Sequence, residues 1–246
     1  MPKNELDSEW KEWVRHNVER GCSKDDLFSI LVSEGFAREA AHRALHPIRI
    51  AQSKRLDTPR AEIYMAEEFL DERECAHLVA LMQDHLRPST ITVADEPDKF
   101  FRRSKTCDLG LLEDPVALRI DRRICEALGL EPALAEPTQA QRYDVGDEFK
   151  AHTDYFEAYE LEKFSSSDWG QRSWTFMIYL NEPEGGGETA FPSLGLSVKP
   201  RTGRAVIWNN LLPDGQPNPD TLHHGMPVTA GTKAIITKWF RRRRPG

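Results

Sequence analysis

The sequence predicts a mainly β protein with flanking helices and a small helical unit at its N-terminus. Three observations carry that prediction. Apolar residues recur at helical spacing up to about residue 46, and again over 72–82 and 114–128. From about residue 136 the period shortens to that of strands, in short segments separated by turns rich in Gly, Pro, Asn and Asp. That is the pattern of a β-sandwich or jelly roll rather than of βαβ units. Between the first helices and the rest lies a polar stretch, 51–59, that ends in a proline and reads as a linker.

Taken in order, Trp10, Trp13, Val14 and Val18 fall at helical spacing, and Leu27, Ile30, Leu31 and Phe36 do so again. Ser23 followed by Asp26 opens the second helix and Gly35 closes it. A short third helix over 37–45 completes an accessory unit, 1–50, and the main domain follows over 60–246. Within it 63–64 and 69–70 read as a strand and its exit. Asp71-Glu-Arg-Glu74 opens a helix that carries Leu78, Leu81 and Met82 on one face. Residues 87–93 are strand-like, and 114–128 is a helix burying Val116, Ile120, Ile124 and Leu128. These two helices are placed to brace one face of a sheet. The strand candidates that follow are 139–143, 149–153, 174–180, 188–191, 203–208, 221–224 and 234–240.

Composition bounds the function classes. With 246 residues, 39% hydrophobic and 30% charged, the chain can bury one substantial core. It has no run approaching the roughly 18 apolar residues of a membrane span, and its start lacks the apolar core of a secretory signal, so no membrane partner and a cytoplasmic location are expected. Cys22, Cys75, Cys107 and Cys125 are too widely spaced for a zinc site or a disulfide framework, and read as reduced thiols. A net charge of -7 argues against general nucleic-acid binding. The Arg241-Arg242-Arg243-Arg244 tail is the exception. It reads as a solvated end, with RNA or an acidic partner as the alternative.

The candidate chemistry centres on His152-Thr153-Asp154. In an extended strand residues two apart project from one face, so this imidazole and carboxylate make half a chelate. A third ligand, His223, would complete a two-histidine, one-carboxylate facial triad, which leaves positions open on Fe(II) for an organic acid and dioxygen. A lone His-x-Asp is more often a surface pair, and the surrounding motifs decide between the readings.

The run Gln141-Arg-Tyr-Asp-Val-Gly-Asp-Glu-Phe-Lys-Ala-His-Thr-Asp-Tyr-Phe156 resembles the metal-binding strand of the prolyl 4-hydroxylase family of Fe(II)/2-oxoglutarate dioxygenases. The resemblance continues, in order, through Thr175-Phe-Met-Ile-Tyr-Leu180, Gly186-Gly-Glu-Thr-Ala-Phe-Pro192, Gly203-Arg-Ala-Val-Ile-Trp208, Thr221-Leu-His-His-Gly-Met-Pro-Val228 and Gly231-Thr-Lys233. It covers about 60–240. Met226 departs from it, since cysteine is frequent there.

The resemblance implies a double-stranded β-helix core, of the jelly-roll or cupin-like kind, with iron held by His152, Asp154 and His223. Adjacent strand residues face opposite sides, and the family pattern selects His223, leaving His224 outward or behind the ligands. Lys233 would pair with the distal carboxylate of 2-oxoglutarate. Tyr143 and Thr175 match residues that donate hydrogen bonds to that co-substrate, Thr175 being otherwise an ordinary strand threonine. Tyr179 faces the same way by strand alternation. Arg102, in Arg102-Arg103-Ser104, lies near the substrate channel of relatives or else in a surface salt bridge, and Trp208 either shapes the substrate site or is simply buried. Gly185-Gly-Gly187 marks a close backbone approach.

The implied reaction couples decarboxylation of 2-oxoglutarate to succinate with hydroxylation of an unactivated C–H bond, with ascorbate as a reductant. The implied substrate is a prolyl residue of a peptide or protein. Hydroxylation of another residue or a free amino acid, and a catalytically silent binding protein, are the alternatives. The N-terminal helices, with Glu34-Gly35-Phe36 at a loop, resemble a ubiquitin-associated-type bundle and either cap the main domain, the favoured reading, or recruit a protein partner. Residues 155–172 are too long and polar for a tight turn, and are expected to form a lid whose Glu157, Glu160 and Glu162 attract a basic peptide, a solvated loop with one aromatic anchor being the alternative.

Overall fold

The computed structural model describes residues 2–45, 53–89, 101–157, 160, 170–212 and 214–242. Its first elements are α1 (Ser8–Glu19), α2 (Lys24–Ser33) and α3 (Arg38–Leu45). Asp7 and Ser23 cap α1 and α2 by accepting hydrogen bonds from the amides of Trp10 and Asp26. The three helices enclose a core of their own around Leu27, Leu31, Phe36, Ala41 and Leu45, with Trp10 edge-on to Phe36.

The chain then runs β1 (Ser53–Arg55), β2 (Ile63–Ala66), α4 (Glu72–Gln83), β3 (Arg87–Pro88), β4 (Lys105–Cys107), α5 (Pro115–Leu128), β5 (Gln139–Tyr143), β6 (Phe149–His152) and β7 (Arg172–Tyr179). It continues as β8 (Gly185–Gly186), β9 (Thr189–Phe191), β10 (Leu196–Val198), β11 (Ala205–Asn209), β12 (His223–Gly225), β13 (Val228–Ala230) and β14 (Lys233–Arg241). Part of the expected linker is therefore structured, because β1 pairs with β2 at the edge of the large sheet. The expected strand at 87–93 is β3 at its start, and its positions from 90 onward lie outside the described residues.

Among the described residues the large sheet has the order β1-β2-β11-β7-β14-β5-β4-β3, and a smaller one runs β10-β9-β12-β6. Helices α4, with its Asp71 and Glu74 capping box, and α5 cover the outer face of the large sheet. There Phe176, Ile178, Ile207, Ile236 and Phe240 pack against Leu78, Met82, Ile120 and Ile124. By strand alternation the inner face presents Tyr143, Met177, Tyr179, Val206, Trp208 and Ile235 toward Phe191 and Val198 of the small sheet. This is the double-stranded β-helix that the motifs imply. No helix among the described residues is long and apolar enough to cross a membrane.

Gly186, at φ 71°, shows why glycines stand in that turn: a Cβ there would run into the carbonyl oxygen of Pro227. The strands absent from the sequence reading, β1, β4, β8, β10 and β13, are two or three residues long. Alternation over so few positions carries no period to read.

Candidate active site

His152 closes β6 and His223 opens β12, and the two strands pair so that these residues are direct partners. The register of the pair shifts between His223 and Gly225. Asp154 lies beyond the end of β6, in the bend that follows, and not on the strand as expected. Its carboxylate is aimed by tertiary contact rather than by strand alternation. The ligand atoms of His152, Asp154 and His223 all lie within 4.8 Å of one another, the one such three-residue cluster among the described residues.

The local bonds prepare these groups for a metal. His152 Nδ1 lies 2.7 Å from the carbonyl of Lys150, and His223 Nδ1 lies 3.0 Å from that of Thr221. A carbonyl only accepts, so each Nδ1 carries the proton and each Nε2 keeps a free lone pair. Phe149 stacks on His152 at 3.4 Å between ring centroids, and Trp208 stands edge-on to His223 at 4.8 Å. Burial, and secondarily the neighbouring His223, push His152 well below the usual imidazole range, so it stays neutral and able to ligate. Two oriented imidazoles and one carboxylate fit Fe(II).

A buried cavity extends from this cluster, lined in part by Arg102, Tyr143, Trp208 and Lys233. Lys233 is 1% exposed, and among the described residues its ammonium has a single hydrogen-bond acceptor, the Gly187 carbonyl at 3.1 Å. It also stands 4.3 Å from the centroid of the Tyr143 ring. Burial lowers its pKa to about 8, partly offset by Glu188. A buried cation with no carboxylate in contact is incompletely satisfied, and an anionic ligand would complete it. The indole N–H groups of Trp208 and Trp239, whose rings line the same cavity, are buried without acceptors among the described residues. Arg102 lies over Phe149 at 4.7 Å and its Nε donates to Ser104, which puts it in the cavity wall.

Two expected co-substrate residues are placed elsewhere. The Thr175 hydroxyl donates to Asp154 Oδ2 at 2.7 Å and accepts from Asn210 Nδ2 at 2.9 Å, which commits it to the carboxylate ligand. The Tyr179 hydroxyl lies 2.6 Å from Thr189 Oγ1 and 3.2 Å from the Val198 carbonyl, so it ties the two sheets together. His224 turns outward to Glu148 at 2.9 Å. Sequence reasoning missed Gln141, Thr189, Thr237 and Trp239 as cavity residues. Alternation from Lys233 through Ile235 to Thr237 and Trp239, and from Tyr143 back to Gln141, could have found all but Thr189.

Of the expected lid, 158–159 and 161–169 lie outside the described residues. At its base the Gln171 side chain accepts from the Phe156 amide and donates to the Phe156 carbonyl, both at 2.7 Å, while Arg172 stacks on Phe156. Glu160, expected to meet substrate, is buried and accepts from the Glu157 amide.

A family model described as the 2OG-Fe(II) oxygenase superfamily matches residues 138–241. Probable prolyl 4-hydroxylase 3 of Arabidopsis thaliana is 32% identical over 204 residues, which cover 74% of this chain and 69% of that protein. The chain belongs to the prolyl 4-hydroxylase-like family of 2OG-Fe(II) oxygenases. Human prolyl 4-hydroxylase subunit alpha-1 is 33% identical over 78% of this chain, which spans only 36% of that larger subunit. Among solved structures, the viral collagen prolyl hydroxylase of Paramecium Bursaria Chlorella virus-1, in its 2OG complex, superposes with a TM-score of 0.58 at 26% identity, covering 74% of this chain and 96% of that one. The family uses Fe(II) and 2-oxoglutarate, and the His-Asp-His cluster is the candidate iron site of this chain, with Lys233 lining the same cavity.

Proposed function

We propose that this protein hydroxylates a prolyl residue of a peptide or protein, using Fe(II), 2-oxoglutarate and dioxygen, with ascorbate as reductant. The observation that carries the reading is the pairing, in one buried cavity, of a preset His-Asp-His cluster with an ammonium that has no carboxylate in contact among the described residues. Iron, when bound by His152, Asp154 and His223, supplies the oxidative chemistry that couples decarboxylation of 2-oxoglutarate to C–H hydroxylation.

The chain's own residues set the geometry. Lys233 holds the distal carboxylate of 2-oxoglutarate by a charge-assisted bond, and its long burial against Tyr143 excludes water that would weaken it. The Tyr143 hydroxyl is the second donor toward that carboxylate. The indole N–H groups of Trp208 and Trp239, which have no acceptor among the described residues, are donors for a carbonyl of co-substrate or substrate, and the aromatic wall shelters the reacting carbon. Relatives named for prolyl hydroxylation support the substrate class.

Incubation of purified protein with Fe(II), 2-oxoglutarate, ascorbate and a set of proline-containing peptides tests the proposal. The expected result is succinate formation and a mass gain of one oxygen that fragment spectra assign to proline. Succinate without peptide oxidation, in the presence of every peptide, would leave the dioxygenase and remove the prolyl substrate. Oxidation of a different residue would reassign it.

A further inference from the structure

The Thr175 hydroxyl has one proton and, among the described residues, two side-chain partners, Asp154 Oδ2 at 2.7 Å and the Asn210 amide at 2.9 Å. An ionised carboxylate can only accept. If Asn210 presented its carbonyl, two acceptors would compete for one proton. The amide must therefore present its NH2 group, and the proton of Thr175 is driven onto Asp154. Both Thr175 and Asn210 are fully buried, so water cannot substitute in this chain.

The cost of this orientation is visible at the other end of the amide. Asn210 Oδ1 is buried with no hydrogen-bond partner among the described residues. A buried acceptor left unpaired is destabilising, and such a group persists where its orientation serves something else. The backbone of Asn210 is fixed as well. Its amide donates to the Ser173 carbonyl at 2.7 Å, and its carbonyl accepts from the Asn218 amide at 2.9 Å. The Asn218 carbonyl in turn receives the Thr221 hydroxyl, and the Thr221 carbonyl receives His223 Nδ1. One residue just past the end of β11 thus anchors bonded paths to two of the three ligands.

We infer that Asn210 is a positioning residue of the metal site: its side-chain amide sets the direction of the Thr175 hydroxyl and thereby fixes the Asp154 carboxylate before a metal arrives. The inference rests on the reading of His152, Asp154 and His223 as ligands. Outer partners of metal ligands typically change affinity by about 10–100-fold when removed.

The test uses the full chain and Co(II) as probe, with affinity measured by chelator competition, ligand geometry by the visible absorption of the bound ion, and folding by thermal melts of the metal-free protein. Wild type binds Co(II) and His223→Ala does not. Failure of wild type to bind overturns the metal reading and this inference with it. Asn210→Ala and Thr175→Val each lower affinity by roughly 10–100-fold and shift the absorption bands. Asn210→Asp, which sets two carboxylates around one hydroxyl, lowers it more, whereas Thr175→Ser keeps it. In a Thr175→Val background, Asn210→Ala costs no further affinity, because the path is already cut. Wild-type affinity in Asn210→Ala, or an equal loss with and without the Thr175 hydroxyl, overturns the inference even where the melting temperature falls. Should Asn210→Asp fail to fold, the Thr175→Val and Asn210→Ala cycle decides alone.

Discussion

Strand β14 carries two buried lysines, and they have opposite fates. Lys238 faces the helices, 2.6 Å from the Asp121 carboxylate and 3.0 Å from the Glu136 carbonyl. Lys233 faces the interior between the sheets, where among the described residues its one hydrogen-bond acceptor is the carbonyl of Gly187. Five positions on one strand reverse the face, so the same residue type is delivered to two environments by geometry alone. A buried cation with its counter-charge supplied from within the fold is a structural tie. One without it is a place for a ligand that brings the charge, and the difference is legible only in what stands opposite.

The neighbours His223 and His224 offer the sharpest form of this contrast. His223→Ala should abolish metal binding and turnover, because two ligands cannot replace the third bond. His224→Ala should keep the metal and lose under about 1 kcal/mol of stability, since its pair with Glu148 is partly exposed. Metal titration and thermal melts read both, and loss of metal in His224→Ala with retention in His223→Ala would reverse the ligand assignment.

The two lysines should exchange phenotypes. Lys233→Met should leave the melting temperature equal or higher, since it removes a buried, under-satisfied charge, while weakening 2-oxoglutarate binding by two to three powers of ten. That is the scale of the roughly 3–5 kcal/mol lost when one partner of a buried pair is removed. Lys238→Met should retain 2-oxoglutarate binding per folded molecule and lose about 2–3 kcal/mol of stability, less than a fully buried pair because the Asp121 side chain is 26% exposed. Calorimetric titration and denaturation on the same preparations distinguish the outcomes. Parallel losses in both variants would erase the contrast.

A pH series sharpens it further. Burial holds Lys233 at about 8 in the free protein, below its ordinary 10.5. Between those values the unfolded chain holds more protons at this position than the fold, so its contribution to stability rises with pH across that window. Binding runs the other way: a bound carboxylate favours the ammonium. Above about pH 8, 2-oxoglutarate binding should therefore take up a proton and weaken as pH rises, as titrations in buffers of different ionisation enthalpy would show. In Lys233→Met that uptake should vanish.

The smallest expected effect separates Tyr179 from Thr175, two hydroxyl residues of β7. Tyr179→Phe removes a tie between sheets and should cost about 1 kcal/mol of stability with 2-oxoglutarate affinity unchanged. A clear loss of co-substrate affinity would return Tyr179 to the pocket.

The sequence by itself determined the period of each long element, and with it which residues share a face. Lys233, Ile235, Thr237 and Trp239 line the cavity while Ala234, Ile236, Lys238 and Phe240 lie on the other face, as alternation requires. Helix caps at Ser23 and Asp71 were also readable, because a cap is made within three residues of itself. The ordered motifs placed the three candidate ligands and Lys233. Only the tertiary structure decided which partner each polar group met. The partners of Thr175 lie 21 and 35 residues away, those of Lys238 lie 102 and 117 away, and Lys233 reaches a carbonyl 46 residues distant. Side-chain direction follows from local backbone geometry, whereas a hydrogen-bond partner is whatever the assembled sheets bring within about 3 Å. Hence the cavity face of Lys233 could be read along the chain, and the lack of a carboxylate beside it among the described residues could not.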